Sequence, residues 1–151
     1  MNKIIIIIFL LIIDLVSKQV IFYSLDLNSF FVITSFFDIA HIHNFGISFG
    51  LFSGTVSPWI FIFIGLIVTV IIFYMFMKSN NHIEKWGFTA IIAGALSNIA
   101  DRALNGYVID FIYLHYKDFY WPAFNFADIY ISVGICVIVF HLLRDLKNKI
   151  K

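Results

Sequence analysis

The chain is poor in charge, cysteine and proline. Only 13% of its 151 residues are charged and 62% are apolar, whereas a soluble domain is about a quarter charged and half apolar. That deficit excludes a disordered chain, a nucleic-acid binder and an ordinary cytosolic enzyme. A net charge of +1 implies no polyanionic partner. A lone cysteine, Cys136, allows neither an intramolecular disulfide nor a cysteine metal cluster, and reads as a small core hydrophobe. Two prolines against nineteen phenylalanines exclude a linker or low-complexity protein. There is no glycine-rich phosphate loop and no repeat of fixed period. What remains is a membrane protein, and at this length one bundle of a few helices.

A membrane helix needs about 20 apolar residues to cross roughly 30 Å of hydrocarbon. Four stretches qualify, at about 4–23, 56–77, 86–104 and 124–143, in one integral-membrane domain over 1–151. An even number of spans puts both termini on one side. That side holds Lys3, Lys78, Lys85, Arg144, Lys147, Lys149 and Lys151, against Lys18, Arg102 and Lys117 on the other. Short cytoplasmic loops carry the excess of Lys and Arg, so the termini are expected in the cytoplasm. The acids run the other way. Only Glu84 and Asp145 lie inside, while Asp14, Asp26, Asp38, Asp101, Asp110, Asp118 and Asp128 lie in the outer half or beyond. Trp59, Trp86 and Trp121 fall near span ends, as interfacial tryptophans do. The first span is not read as a cleavable signal peptide, because Asp14 and Lys18 interrupt it and no small-residue cleavage site follows.

The two outer connections carry their own signals. Asp26 to Thr55 is rich in Phe, Ile, Val, Thr and Ser, with Gly46, Gly50 and Gly54, and reads as short strands with tight turns. Asn105 to Ala123 is dense in Tyr, Phe and Trp and reads as a segment lying on the membrane surface.

An ionised side chain at the bilayer centre costs roughly 2.5–3.5 kcal/mol on insertion scales, so polar residues in the spans mark packing or function. Asp14, Ser17 and Lys18 share one helix face. Asp14 with Lys18 reads as a structural ion pair, with Lys18 also able to snorkel toward a site. Asn98, Asp101 and Arg102 sit in the last turns of the third span, one turn after Gly94 and Ala95, which permit close helix approach. Neighbours on a helix point apart, so Asp101 and Arg102 need partners elsewhere, and Arg102 suits a carboxylate or a backbone carbonyl. Asp110, Asn125 and Asp128 belong at the outer face. If Asp110 and Asp128 meet, they share a proton and titrate as a unit, the arrangement aspartic proteases use. The bland alternative makes Asp128 a helix cap and Asp110 a solvated loop residue. His41 and His43 alternate on one strand face without a third ligand, which points to a surface role rather than a metal. Ser17, Ser48 and Ser97 lack a His-and-Asp constellation.

These clusters bring a family into view. Asp14-Leu15-Val16-Ser17-Lys18, Asn44-Phe45-Gly46-Ile47-Ser48-Phe49, the stretch Gly94 to Arg102, Gly106-Tyr107-Val108-Ile109-Asp110-Phe111 and the stretch Trp121 to Asp128 follow one another in order. The chain resembles, over nearly its whole length, the lipoprotein signal peptidases, the type II signal peptidases of bacterial inner membranes. The resemblance implies an aspartic endopeptidase that removes signal peptides from lipid-modified prolipoproteins, just before the diacylglyceryl-cysteine. It implies Asp110 and Asp128 as the catalytic pair. Asn44, Gly46, Asn98, Arg102 and Asn125 would line the site, with Asp14, Lys18 and Asp101 in support. It implies an all-α membrane fold of four helices with an outer β-cradle at about 26–55. Prolipoproteins and membrane lipids are the implied partners of a monomer, with no metal, organic cofactor or nucleic acid. Leu15, Ile47, Ala93 and Ser97 depart from the family's usual glutamine, small residue and two glycines, which bears on cradle packing and helix approach.

A transporter or channel subunit would also place Asp, Asn and Arg in the membrane, but along a path through both leaflets. Here 86–92 and 131–142 carry almost nothing ionisable. A purely structural subunit explains neither the one-sided acids nor Asn98 and Asn125.

Overall fold

A computed structural model describes residues 2–47, 52 and 54–150. Ser48, Phe49 and Gly50 of the outer connection lie outside the described residues. Four helices are present: α1 (Lys3–Ser24), α2 (Pro58–Lys78), α3 (His82–Asn105) and α4 (Phe126–Ile150). Their ends carry recognisable stops. The Asn2 and Asn81 side chains accept backbone N–H groups at the starts of α1 and α3, and Pro58 opens α2 where its missing N–H costs nothing. Gly106 ends α3 in the left-handed region (φ 81°), its N–H donating to the Arg102 carbonyl, a conformation glycine adopts without strain.

By length and composition, α1, α2 and residues 126–148 of α4 can cross a membrane. Their apolar side chains face outward: Phe63, Val70 and Phe140 are exposed, and so is Cys136, which is therefore no core residue. A helix surrounded by lipid has no need to turn its apolar residues inward. The polar helix, α3, packs against all three others and buries Phe88, Ile91, Ile92 and Ala93. A central helix needs little lipid-facing surface, so it tolerates Gly, Ser and Asn. At Gly94 the α4 backbone comes so close that a Cβ would strike the Ala127 carbonyl.

At one end of the helices lies an antiparallel sheet, in the order β1 (Phe30–Val32), β2 (Phe37–Asn44), β3 (Val108–Tyr116) and β4 (Phe119–Tyr120). The sheet corrects the expectation of a surface-lying segment over Asn105 to Ala123, since its longest strand, β3, comes from there. Val108, Ile109, Asp110 and Phe111 are buried in succession, and β2 pairs with β3 from Phe37 opposite Leu114 to Asn44 opposite Val108. Aromatic and β-branched residues fit a pleated, covered surface as well as a membrane surface, and the partner strand, whose paired residues lie 64 or more positions upstream, is invisible to local pattern. Phe124 exchanges backbone hydrogen bonds with Ile112 (2.8 and 3.1 Å), tying the start of α4 to β3.

The Gly94 contact generates a prediction. In Gly94→Ala the added methyl meets backbone, not a yielding side chain, so α4 has to move away from α3. Lower folded yield in detergent and a destabilisation of about 1–3 kcal/mol are expected. A thermal midpoint equal to that of the unsubstituted protein would count against this packing.

Candidate active site

Asp110 lies in β3 opposite Ile42 and is buried, 3% exposed. Its Oδ2 accepts from Asn44 Nδ2 (2.9 Å) and its Oδ1 from Asn125 Nδ2 (2.6 Å). The strand is held at the preceding residue, where the Ile109 N–H donates to Asp101 Oδ2 (2.9 Å). Asp101 Oδ1 accepts from Asn105 Nδ2 (2.7 Å).

Asp128 sits in the first turn of α4. It forms a reciprocal cap with Asn125: the Asp128 N–H donates to Asn125 Oδ1 (3.0 Å), and the Asn125 N–H donates to Asp128 Oδ2 (3.2 Å). The capping role and a place in the site are thus compatible. Asp128 Oδ1 stays turned to Asn98 Nδ2 (2.9 Å).

Behind this pair is a buried ion cluster. Lys18 and Asp14 are both fully buried, with Lys18 Nζ 2.8 Å from Asp14 Oδ2. Lys18 does not snorkel outward. Its ammonium points inward, donating to Asn98 Oδ1 (2.8 Å) and lying 3.5 Å from Asp101 Oδ2. Asp14 also accepts from Ser97 Oγ (2.7 Å) and, through Oδ1, from the Ala127 N–H (2.8 Å). One carboxylate on α1 therefore holds α3 and the N-terminus of α4. On the far side Arg102 Nη2 donates to the Gly46 carbonyl (2.6 Å). The Gly46 N–H donates to Asn44 Oδ1 (2.9 Å).

All ten residues that the resemblance assigns to the site thus belong to one connected network. Three asparagines present Nδ2 to the carboxylates, each with Oδ1 held by a donor: Gly46 N–H for Asn44, Lys18 for Asn98, and Asp128 N–H for Asn125. That fixes which end of each amide meets a carboxylate.

Asp110 and Asp128 line one cavity of about 650 Å³. Its walls are otherwise largely apolar, with Phe61, Ile64 and Gly65 of α2 facing Ile99 of α3 and Ile129 and Val133 of α4. The α2 residues were missed in the sequence, since apolar side chains toward a cavity and toward lipid read alike and the one buried polar residue of α2, Thr69, bonds back to the Gly65 carbonyl rather than into the site. Burial first, and then the neighbouring Asp128 carboxylate, push the Asp110 carboxyl up to about 7, against the amides of Asn44 and Asn125 and the Lys18 ammonium.

Outside the network, the expected surface role of His41 fails. His41 is 3% exposed, its Nδ1 2.9 Å from the Leu25 carbonyl and its Nε2 3.0 Å from His43 Nε2. The β2 strand is covered on that face, with Phe22 against His41 and Tyr107 stacked on His43 at 3.7 Å. Among the described residues no three His, Cys, Asp or Glu side chains are grouped to hold a metal ion. Of the departures from the family pattern, Ser97 adds a hydrogen bond to Asp14, Ala93 is fully buried, and Ile47 lines the cavity.

Apolar helices around a cavity lined by the Asp110 and Asp128 carboxylates make this the candidate active site of a membrane protein. Residues 6–144 match the model of the family described as signal peptidase (SPase) II, and the chain belongs to that family. It is 40% identical over 136 residues to a lipoprotein signal peptidase of Thermodesulfovibrio yellowstonii, covering 89% of this chain and 90% of that one. It is 36% identical over 141 residues to one of Pseudoalteromonas atlantica, covering 91% and 86%. A bacterial membrane enzyme solved by the in meso method at 2.3 Å resolution has the same fold, with TM-score 0.89 and 32% identity, covering 97% of this chain and 90% of that chain.

The Asp110 environment predicts a pH-dependent stability. Its proton is held in the folded state to about 7, against an ordinary value of 3.8. Asp110's contribution is therefore fully present below the ordinary value and is lost as pH rises through about 7. The thermal midpoint in detergent should fall over that window and the fall should be shallower in Asp110→Asn; identical slopes would remove Asp110 as its source.

Proposed function

We propose that the chain is an aspartic endopeptidase that removes signal peptides from diacylglyceryl-modified prolipoproteins, cutting just before the lipidated cysteine. The observation that carries this reading is the pairing of Asp110 and Asp128 on one largely apolar cavity, each held by amide donors. One carboxylate, ionised, takes a proton from water as the oxygen attacks the scissile carbonyl. The other, protonated, donates to the carbonyl oxygen as charge develops there. Collapse of the tetrahedral intermediate breaks the C–N bond, and a proton from the pair goes to the leaving amine. Asn44, Asn98 and Asn125 hold the carboxylates. Arg102 has a buried Nε without a hydrogen-bond partner among the described residues, which suits it to a substrate carbonyl, while Asp14, Lys18, Gly46 and Asp101 support the site. The apolar walls suit acyl chains and the signal helix.

In this reading the chain is one membrane-integrated domain and a monomer. α3 is a fourth span, sheltered from lipid by the other three helices. Both termini are cytoplasmic, and the sheet is a cradle at the outer face of a bacterial inner membrane. The excess of Lys and Arg at the opposite end supports that orientation. A site at the outer helix ends meets the scissile bond near headgroup level without drawing water to the midplane.

The test is cleavage of a diacylglyceryl-modified lipopeptide by purified, detergent-solubilised protein. Wild type should cut before the lipidated cysteine. Asp110→Asn and Asp128→Asn should each lose about 100-fold or more in turnover while still inserting and folding. Near-normal turnover in either variant refutes the pair.

A further inference from the structure

Lys18 does more than neutralise Asp14. A buried ion pair needs one contact, and Lys18 makes it at 2.8 Å. The ammonium has three protons, and its other two neighbours both lead to the carboxylate pair. Through Asn98 Oδ1 (2.8 Å) it turns Asn98 so that Nδ2 meets Asp128 Oδ1. With the amide reversed, an oxygen would face the carboxylate and Lys18 would face an NH2 group, so both contacts would be repulsive. Through Asp101 Oδ2 (3.5 Å) it reaches the carboxylate oxygen that receives the Ile109 N–H, one residue before Asp110. One cation on α1 therefore stands one side chain away from each arm of the site.

We infer that Lys18 is a positioning residue which, through Asn98 and Asp101, sets the geometry and shared proton of the Asp110–Asp128 pair; this rests on the endopeptidase reading above. A residue that only holds α1 against α3 would be needed for folding but would leave the pair's proton alone. The positive charge also acts directly, since Lys18 opposes the rise of the Asp110 carboxyl.

The other groups facing the pair are few. Asp14 comes from α1, Asp101 and Arg102 from α3, and the amides of Asn44 and Asn125 from β2 and the turn before α4. α2 contributes only Phe61, Ile64 and Gly65 to the cavity wall. Arg102 is committed to the Gly46 carbonyl, so Lys18 is the cation wired to both arms.

The signs follow. Without Lys18 the pair loses a nearby positive charge and an oriented donor, both of which favour its ionised form. It then keeps its shared proton to higher pH, and the alkaline limb of kcat/KM moves up. Lys18→Met alone strands the Asp14 charge, so the clean comparison is Asp14→Asn with and without Lys18→Met. The limb should lie about one pH unit higher in the double variant, with kcat reduced more than KM is changed. Asn98→Ala cuts the arm to Asp128 without touching the ion pair, and its limb should also move up from that of wild type. The limbs are measured on the lipopeptide with detergent-solubilised protein that elutes as a folded species. Should the double variant fail to fold, Asp14→Asn with Lys18→Gln takes its place, and its limb should likewise lie above that of Asp14→Asn. Limbs unmoved in folded variants, with wild type cleaving, overturn the positioning role and leave the endopeptidase reading intact. A wild type that cleaves nothing overturns both.

Discussion

A carboxylate set against hydrocarbon has two ways to persist: it is surrounded by donors, or it keeps its proton. Much of this molecule follows from surrounding Asp110 and Asp128 with donors while burial lets Asp110 keep its proton up to about 7. The donors come from β2, α3 and the turn before α4, so those elements have to converge within hydrogen-bond distance of one another. The Phe124–Ile112 backbone bonds bring the start of α4 to β3, and Asp101 fixes the height of β3 against α3. The sheet is thus part of the site, since Asp110 stands on a strand rather than a helix.

Convergence of that kind demands close packing around α3. Gly94 lets the α4 backbone approach α3 at the level of Ala127, and the Ala127 N–H is the group that Asp14 caps from α1. Three helices therefore meet at one carboxylate. The arrangement explains why α3 is the least apolar helix in a chain so rich in apolar residues. Its small and polar side chains face other helices, where lipid-like side chains would hold the backbones apart.

The polar side of this architecture was legible in the sequence because polar residues in apolar runs have few bland explanations. Asp14 with Lys18, Asn98 with Arg102, and Asn125 with Asp128 stood out at helical spacing, and all of them enter the network. What was not legible is whatever depends on distant partners. The strand over Val108–Tyr116 looked like an aromatic surface segment until its pairing with β2 was seen. His41 looked exposed because alternation on a strand does not say which face is covered. The inner face of α2 is marked only by Gly65 and Thr69, a faint signal, since apolar side chains toward a cavity and toward lipid read alike. Ser97, unremarkable as a nucleophile, proved to be a donor to Asp14.

The choice of donors around the pair has a chemical consequence. An ammonium or guanidinium in direct contact lowers a carboxyl by about 1–3 pH units and would leave both carboxylates ionised, with no proton to place on a carbonyl oxygen. An amide donates without bringing a charge. Asn44, Asn98 and Asn125 therefore hold two carboxylates still while leaving them able to share a proton, as the proposed mechanism needs. The cations are kept out of direct contact: Lys18 bonds to the far end of the Asn98 amide, and Arg102 to the carbonyl of Gly46, whose N–H in turn holds Asn44. Lys18 reaches the pair through one intervening residue and Arg102 through two, each steering the orientation of an amide while leaving burial and the second carboxylate to keep the Asp110 carboxyl near 7. An arrangement with the same charges in direct contact would bind the carboxylates more tightly and remove the acid that the proposed mechanism requires.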